Sequence, residues 1–172
     1  KKGSAIENVT HLVIPSTYNE IPVSSILESA FSSCTNLITV KMPDTIKLVC
    51  ASAFTTCSKL ESIEVYKAKE GVYETFYSSV DGALIRDDMG TIYLEVVPRA
   101  KKGHYIIPDG VQRVLTKAFY YTEIDSVTIP NSVLDLPKYA FYYCTALGGE
   151  LALPDTLTVI GDYAFSYAKI TT

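Results

Sequence analysis

Any catalysis by this chain would fall to two histidines, four cysteines and one acidic doublet. His11 and His104 could act as general bases, yet they stand near strand starts in different parts of the chain, with no nucleophile recurring beside them. A histidine facing solvent from a strand is the plainer reading of both. Cys34, Cys57 and Cys144 share one position, three residues after a phenylalanine, while Cys50 stands alone. Cys34 and Cys57 fall one repeat apart, which leaves a disulfide open. The reading as small core residues is preferred, because Thr122 and Ala168 fill the same slot in other units. No Cys/His spacing resembles a zinc site. Asp87-Asp88 lacks the further spaced carboxylates of a calcium loop and reads as a solvated turn. Gly-x-Ser-x-Gly, P-loop and His-Glu-x-x-His patterns do not occur. The expectation is a non-enzymatic chain with no catalytic residue, cofactor or metal.

Recognition chemistry is better represented, and tyrosine carries it. Tyr120, Tyr121, Tyr139, Tyr142, Tyr143, Tyr163 and Tyr167 flank three Ala-Phe pairs in the C-terminal half. Tyrosine joins a large ring to a hydrogen-bonding tip at modest entropic cost, which suits contact with a protein or a glycan. The alternative is that these rings cover gaps between neighbouring turns and serve stability.

These residues are positioned by a repeat. The Ala-Phe phrase occurs as SAFSSC at Ser29–Cys34, SAFTTC at Ser52–Cys57, KAFYYT at Lys117–Thr122, YAFYYC at Tyr139–Cys144 and YAFSYA at Tyr163–Ala168. Ahead of each lies an apolar-Pro pair, at Pro15, Pro43, Pro108, Pro130 and Pro154. Spacings of 22 to 24 residues between successive phenylalanines mark a solenoid, whose units bury their apolar sides only against each other. In the second unit, Leu37, Val40 and Met42 face inward from a strand and Thr39 and Lys41 outward; Pro43 ends the ladder. Val49, Ala53, Phe54 and Cys57 follow at spacings that predict a short helical turn. The predicted fold is α/β, a right-handed solenoid with a parallel sheet on one side and short helical turns on the other. Its sheet face offers a second candidate surface through Thr39, Lys41, Ser62, Glu64, Ser126 and Thr128.

The third unit breaks the rhythm. It opens with Leu60, Ile63 and Val65, but no Ala-Phe follows until Ala118-Phe119. One β-hairpin is predicted in between: Val80, Ala83, Leu84 and Ile85 as an apolar run, Asp87–Gly90 as the turn, and Ile92, Leu94 and Val96 on the return. The organisation expected is one solenoid over 1–172, with repeats at 1–66, a hairpin insertion at 67–102, and repeats at 103–172 that break off unfinished. The insertion is too apolar for a linker and is expected to pack against one half-solenoid.

Composition narrows the class further. The chain has 172 residues, 20% of them charged, and a net charge of −4, with a mean hydropathy of +0.17. That balance excludes disorder and the basic footprint of a nucleic-acid binder. No apolar run approaches the ~20 residues of a membrane-spanning helix. The opening Lys1-Lys2-Gly3 and the unfinished strand at Ile170 suggest a piece of something longer.

The stretches VIPSTYNEIPVSSILESAFSSCTNL, SSVDGALIRDDMGTIYLEVVPRAKKGHYIIPDGV and LALPDTLTVIGDYAF resemble the BspA-like leucine-rich repeats. The resemblance spans nearly the whole chain, insertion included. That family's frequent glycine before the loop is kept only at Gly161; Leu27, Cys50, Leu115 and Pro137 replace it elsewhere. The resemblance implies a cell-surface or secreted segment, monomeric, mediating adhesion to a protein (a host extracellular protein among the candidates) or a glycan, with no membrane insertion of its own. The alternative it leaves is a structural spacer within a larger surface protein.

Overall fold

The computed structural model describes residues 8–68 and 75–171, and the expected boundaries that fall on 1–7, 69–74 and 172 lie outside them. Within the described residues the chain winds as a solenoid built almost wholly of short strands and turns. Strands His11–Val13, Thr39–Pro43 and Ser62–Tyr66 pair in parallel, with His11, Thr39 and Ser62 in one register column and Val13, Lys41 and Glu64 in the next. Alternation decides which residues are inside. Val40, Met42 and Ile63 are buried, while Lys41 points outward to pair with Glu64 at 2.8 Å. Further along, Lys102–Ile106 pairs with Glu123–Thr128 and Gly148–Glu150 with Lys169–Thr171, again in parallel. The expected single sheet is therefore three pieces. Gly148-Gly149 is the beginning of a strand paired in continuous register.

The helical turns on the opposite side are not found, and the α/β description gives way to a nearly all-β one. Only Ala51–Phe54 forms one turn of 3-10 helix among the described residues. Elsewhere the Ala-Phe pair sits in a loop bracketed by two residues in the left-handed region. These are Ser29 and Ser33, Lys117 and Tyr121, Tyr139 and Tyr143, and Tyr163 and Tyr167, with φ between 57° and 74°. A helix cannot propagate through such residues. The second unit is the exception because the closing position is Thr56, whose β-branch disfavours a positive φ. Apolar spacing at i, i+4 and i+5 looked helical because a tight loop buries the same positions.

Before each loop, short two-residue strands form a second parallel ladder. Ser25–Ile26 pairs with Leu48–Val49, and Asp135–Leu136 with Val159–Ile160. Gly161, just past that ladder, is needed for close approach: a Cβ there would lie 2.5 Å from the Lys138 amide nitrogen of the preceding turn.

The insertion differs from the hairpin expected. Tyr77–Val80, Ala83–Asp88 and Thr91–Val96 make a three-stranded antiparallel meander. Val80 and Ala83 belong to different strands, separated by a turn at Asp81 (φ 50°) and Gly82 (φ 76°). The second turn, Met89-Gly90, falls where expected, and Asp87 caps it by accepting a 2.8 Å hydrogen bond from the Gly90 amide. Both turns hold two consecutive residues at positive φ, which matches the twist of a tight hairpin.

Thr91–Val96 also pairs in parallel with Arg113–Val114, so it occupies the second-ladder slot that the third turn would otherwise leave empty. Val97 then stands where the missing phenylalanine would be: its amide donates to the Ala118 carbonyl (2.8 Å), as Phe119 does to Ala140 and Phe141 to Ala164. The core falls into two clusters on either side of this element. Leu84 and Val96 face Phe54 and its neighbours, whereas Ala83, Ile85, Leu94 and Val97 face Phe119 and its neighbours. Within each cluster the phenylalanines form the spine that the repeat predicts. Centroids are 5.1 Å apart for Phe31–Phe54, 4.4 Å for Phe119–Phe141 and 5.0 Å for Phe141–Phe165, all stacked. Among the described residues no ring contact joins Phe54 to Phe119; the Val97-Pro98 segment lies between.

Candidate functional site

The left-handed residues that shape the Ala-Phe loops also aim their side chains. In the C-terminal half the loops are tied by alternate amides: Tyr121 donates to the Tyr142 carbonyl (3.0 Å), Tyr139 to Asp162 (3.1 Å) and Tyr143 to Ser166 (3.0 Å). Each loop therefore repeats its neighbour's trace about one strand spacing away, and equivalent side chains stack. Tyr121 lies on Tyr143 at 4.5 Å and 15°, Tyr120 on Tyr142 at 5.6 Å and 9°, and Tyr139 on Tyr163 at 5.5 Å and 12°. Edge and tilted contacts complete the set, with Tyr139 meeting Tyr142 at 5.1 Å and Tyr143 meeting Tyr167 at 4.2 Å. All seven tyrosines singled out in the sequence belong to this one connected array.

Burial grades across it. Tyr120, Tyr121, Tyr139, Tyr142 and Tyr143 are half-buried, whereas Tyr163 and Tyr167 in the last loop remain 59% and 58% exposed. Ring-on-ring packing at these distances contributes about 0.5–1.5 kcal/mol per pair beyond area burial, which offsets the ~1–2 kcal/mol that each non-glycine residue costs in the left-handed region. Desolvation raises the Tyr142 phenol above its ordinary range, and the neighbouring Tyr167 hydroxyl adds to this. The Tyr142 phenol is therefore a neutral hydrogen-bonding group at physiological pH.

Three cations lie against the rings, a feature that the sequence reading missed. The Arg99 guanidinium is 4.8 Å from the Tyr121 centroid, Lys117 Nζ is 5.2 Å from that of Tyr120, and Lys138 Nζ is 4.8 Å and 5.8 Å from those of Tyr139 and Tyr163. Lys117 could have been found, because it fills the slot of Tyr139 and Tyr163 in the repeat. Arg99 could not, since only the fold of the insertion brings it to this side, where it also donates to the Thr55 carbonyl at 2.9 Å.

The second candidate surface is divided. Thr39 and Ser62 are register partners, as are Lys41 and Glu64, on the N-terminal sheet. Ser126 and Thr128 lie on a separate sheet, and both meet His104, whose Nδ1 is 2.9 Å from Ser126 Oγ and whose Nε2 is 2.9 Å from Thr128 Oγ1. His11 Nδ1 meets Thr39 Oγ1 at 2.7 Å in the equivalent place. Both histidines are thus solvent-facing strand residues held by hydroxyl neighbours. Where the sheets part there is an open cleft of about 710 Å³, its walls carrying Lys59, Glu61, Asp81, Lys101, Lys102 and Glu123. Three positive and three negative groups cancel there, and Lys101–Asp81 (2.6 Å) and Lys102–Glu123 (3.2 Å) already neutralise each other.

The cysteine column is core. Cys34 and Cys57 stand as buried thiols, and the Cys144 thiol donates to the Phe119 carbonyl at 2.9 Å. Burial pushes the Cys57 thiol up to about 12, with Cys34 adding to the rise, and the Cys144 thiol up to about 11. Thiols so raised are poor nucleophiles.

The solenoid resembles known bacterial proteins. A leucine-rich repeat protein from Eubacterium ventriosum superposes with a TM-score of 0.70 at 22% identity, covering 93% of this chain and 41% of that one. A leucine rich cell surface protein from Faecalibacterium prausnitzii gives 0.57 at 21%, with coverages of 92% and 51%. The pneumococcal vaccine antigen PcpA gives 0.54 at 18%, with 89% and 47%. At such identities the likeness concerns the fold, and the chain spans about half or less of the length of each. No curated protein sequence matches. The profile of the BspA type leucine rich repeat region matches in six copies over residues 4–84 and 103–172, passing over 85–102, where the meander stands in for a loop. With most of its length accounted for in this way, the chain belongs to the BspA-type leucine-rich repeat family.

Proposed function

We propose that this segment is a non-enzymatic binding module of a cell-surface or secreted protein, and that it engages a protein partner through the tyrosine array. The observation that carries this reading is the convergence of Tyr120, Tyr121, Tyr139, Tyr142, Tyr143, Tyr163 and Tyr167 into one connected patch, with the most exposed rings at its far end. Tyrosine is enriched at protein interfaces because it supplies contact area and hydrogen bonds with few rotatable bonds. Membership of a repeat family with surface-protein relatives supports the location. A spacer role is the second reading, favoured by the stacking of the inner rings, which would stabilise the solenoid with no ligand at all.

Replacement of Tyr163 and Tyr167 by serine separates the two. These rings are the most exposed of the seven, so the variant is expected to remain folded by circular dichroism while losing binding in an array of extracellular proteins and glycans. No binding by the parent chain would favour the spacer, and unchanged binding by the variant would refute the tyrosine array as the contact surface.

A further inference from the structure

We infer that the partner of the tyrosine array is an acidic polypeptide segment, recognised by Arg99, Lys117 and Lys138 together with the tyrosine hydroxyls and ring edges. This rests on the protein-binding reading above. It starts from how the protein places its charge. Lys41, Arg86, Lys101, Lys102 and Arg113 each pair with a carboxylate. Arg99, Lys117 and Lys138 have no such partner among the described residues; they lie against rings instead, 4.8 to 5.8 Å from the centroids. Arg99 Nε is moreover buried with no hydrogen-bond acceptor. In the three tyrosine-bearing loops, residues 115–122, 137–144 and 161–168, Asp162 is the sole carboxylate. Lys47, Lys59, Lys67 and Lys169 likewise have no carboxylate partner among the described residues, but Arg99, Lys117 and Lys138 are the three that lie against these rings, in a chain whose net charge is −4. The equivalent N-terminal loops carry Ser29, Ser32, Ser33, Ser52, Thr55 and Thr56 and no cation.

Ring orientation selects among anionic partners. Sugars and unpaired nucleobases are bound by stacking on free aromatic faces. Here the faces of Tyr120, Tyr121, Tyr142 and Tyr143 are occupied by one another at 4.5 to 5.6 Å. The hydroxyl donors and positive ring edges of these tyrosines, and the cations beside them, are complementary to carboxylates. The pocket beside Arg99, Lys117 and Tyr120 has a volume of about 10 Å³, too little for a small organic anion, which suits an extended segment bearing several acidic side chains.

The test uses the whole chain to select from a phage-displayed library of random twelve-residue peptides, with a heparin fragment as a polyanion that has no peptide backbone. Enriched clones are expected to carry an excess of Asp and Glu. Their affinity is expected to fall about tenfold or more in Lys117→Glu/Lys138→Glu and to weaken with added salt. Circular dichroism on that variant confirms that it is folded, and Lys117→Arg/Lys138→Arg is expected to keep binding. Clones without acidic excess, acidic clones indifferent to the charge reversal, or heparin binding in preference to every clone would overturn the inference. Neutral clones lost on Tyr163→Ser/Tyr167→Ser would leave the protein-binding reading standing; a library with no enriched clone would count against both.

Discussion

If the core is two stacked spines separated by the meander, energetic coupling between phenylalanines should follow the stacks and stop at the break. Phe141 is fully buried between Phe119 at 4.4 Å and Phe165 at 5.0 Å, whereas Phe31, at the first loop, has one ring neighbour among the described residues, Phe54. Truncating a buried phenylalanine to alanine costs about 3–5 kcal/mol, a large share of the ~5–15 kcal/mol that holds a domain together. Leucine is the more usable probe, because it keeps most of the volume and costs roughly 1.5 kcal/mol while removing the ring-on-ring contact. For Phe119→Leu and Phe141→Leu, each single variant already loses the contact. The double variant should therefore be less destabilised than the sum by about 0.5–1.5 kcal/mol. For Phe31→Leu and Phe141→Leu, in different clusters, the sum should hold within about 0.5 kcal/mol. Urea unfolding of the parent, the three singles and the two doubles measures both couplings, provided the transitions stay two-state. Additivity at Phe119/Phe141, or equal coupling at Phe31/Phe141, would refute the stacked-spine account.

Two further outcomes follow from the same geometry. Ser29 sits at φ 58° with no buried contact to lose, so Ser29→Gly should raise stability by about 1 kcal/mol; Ser52→Gly, in the 3-10 turn of the second unit, should instead lower it, and a common sign in urea unfolding would contradict the loop assignment. Glu95 is buried on the meander, where it accepts a 3.0 Å hydrogen bond from Arg86 Nε, and burial raises its carboxyl above the ordinary range despite that partner. A carboxyl raised by folding contributes stability that is complete below its unfolded value and is lost as pH rises through its folded value. The thermal midpoint should accordingly fall with rising pH above the ordinary glutamate range, and Glu95→Gln should flatten that part of the profile; an unaltered profile would show that Arg86 already compensates the charge.

The repeat, the inward set and the tyrosine register were legible because a solenoid turns long-range packing into a local rule. Residues at matched positions, such as Phe119 and Phe141 or Tyr121 and Tyr143, become neighbours by stacking alone, so spacing in the chain translates directly into proximity. The helical turns were misjudged for a related reason. Val49, Ala53, Phe54 and Cys57 do carry one 3-10 turn, but the matching Leu136, Ala140, Phe141 and Cys144 are buried equally well by a loop with left-handed ends, and side-chain periodicity does not report the sign of φ. The Asp81-Gly82 turn carried a usable signal, the Asp-Gly pair itself, which the apolar run from Val80 to Ile85 obscured.

By itself the sequence determined which side chains the turns bury and which tyrosines share a column, because both depend only on position within the repeat. The tertiary structure alone decided where that column of logic is interrupted. The meander threads one strand into the second ladder, divides the core and the parallel sheet, and carries Arg99 across to Tyr121. Those contacts join residues with no shared repeat position, so they arise from how the inserted strands pack, a matter of three-dimensional fit that no period in the chain encodes.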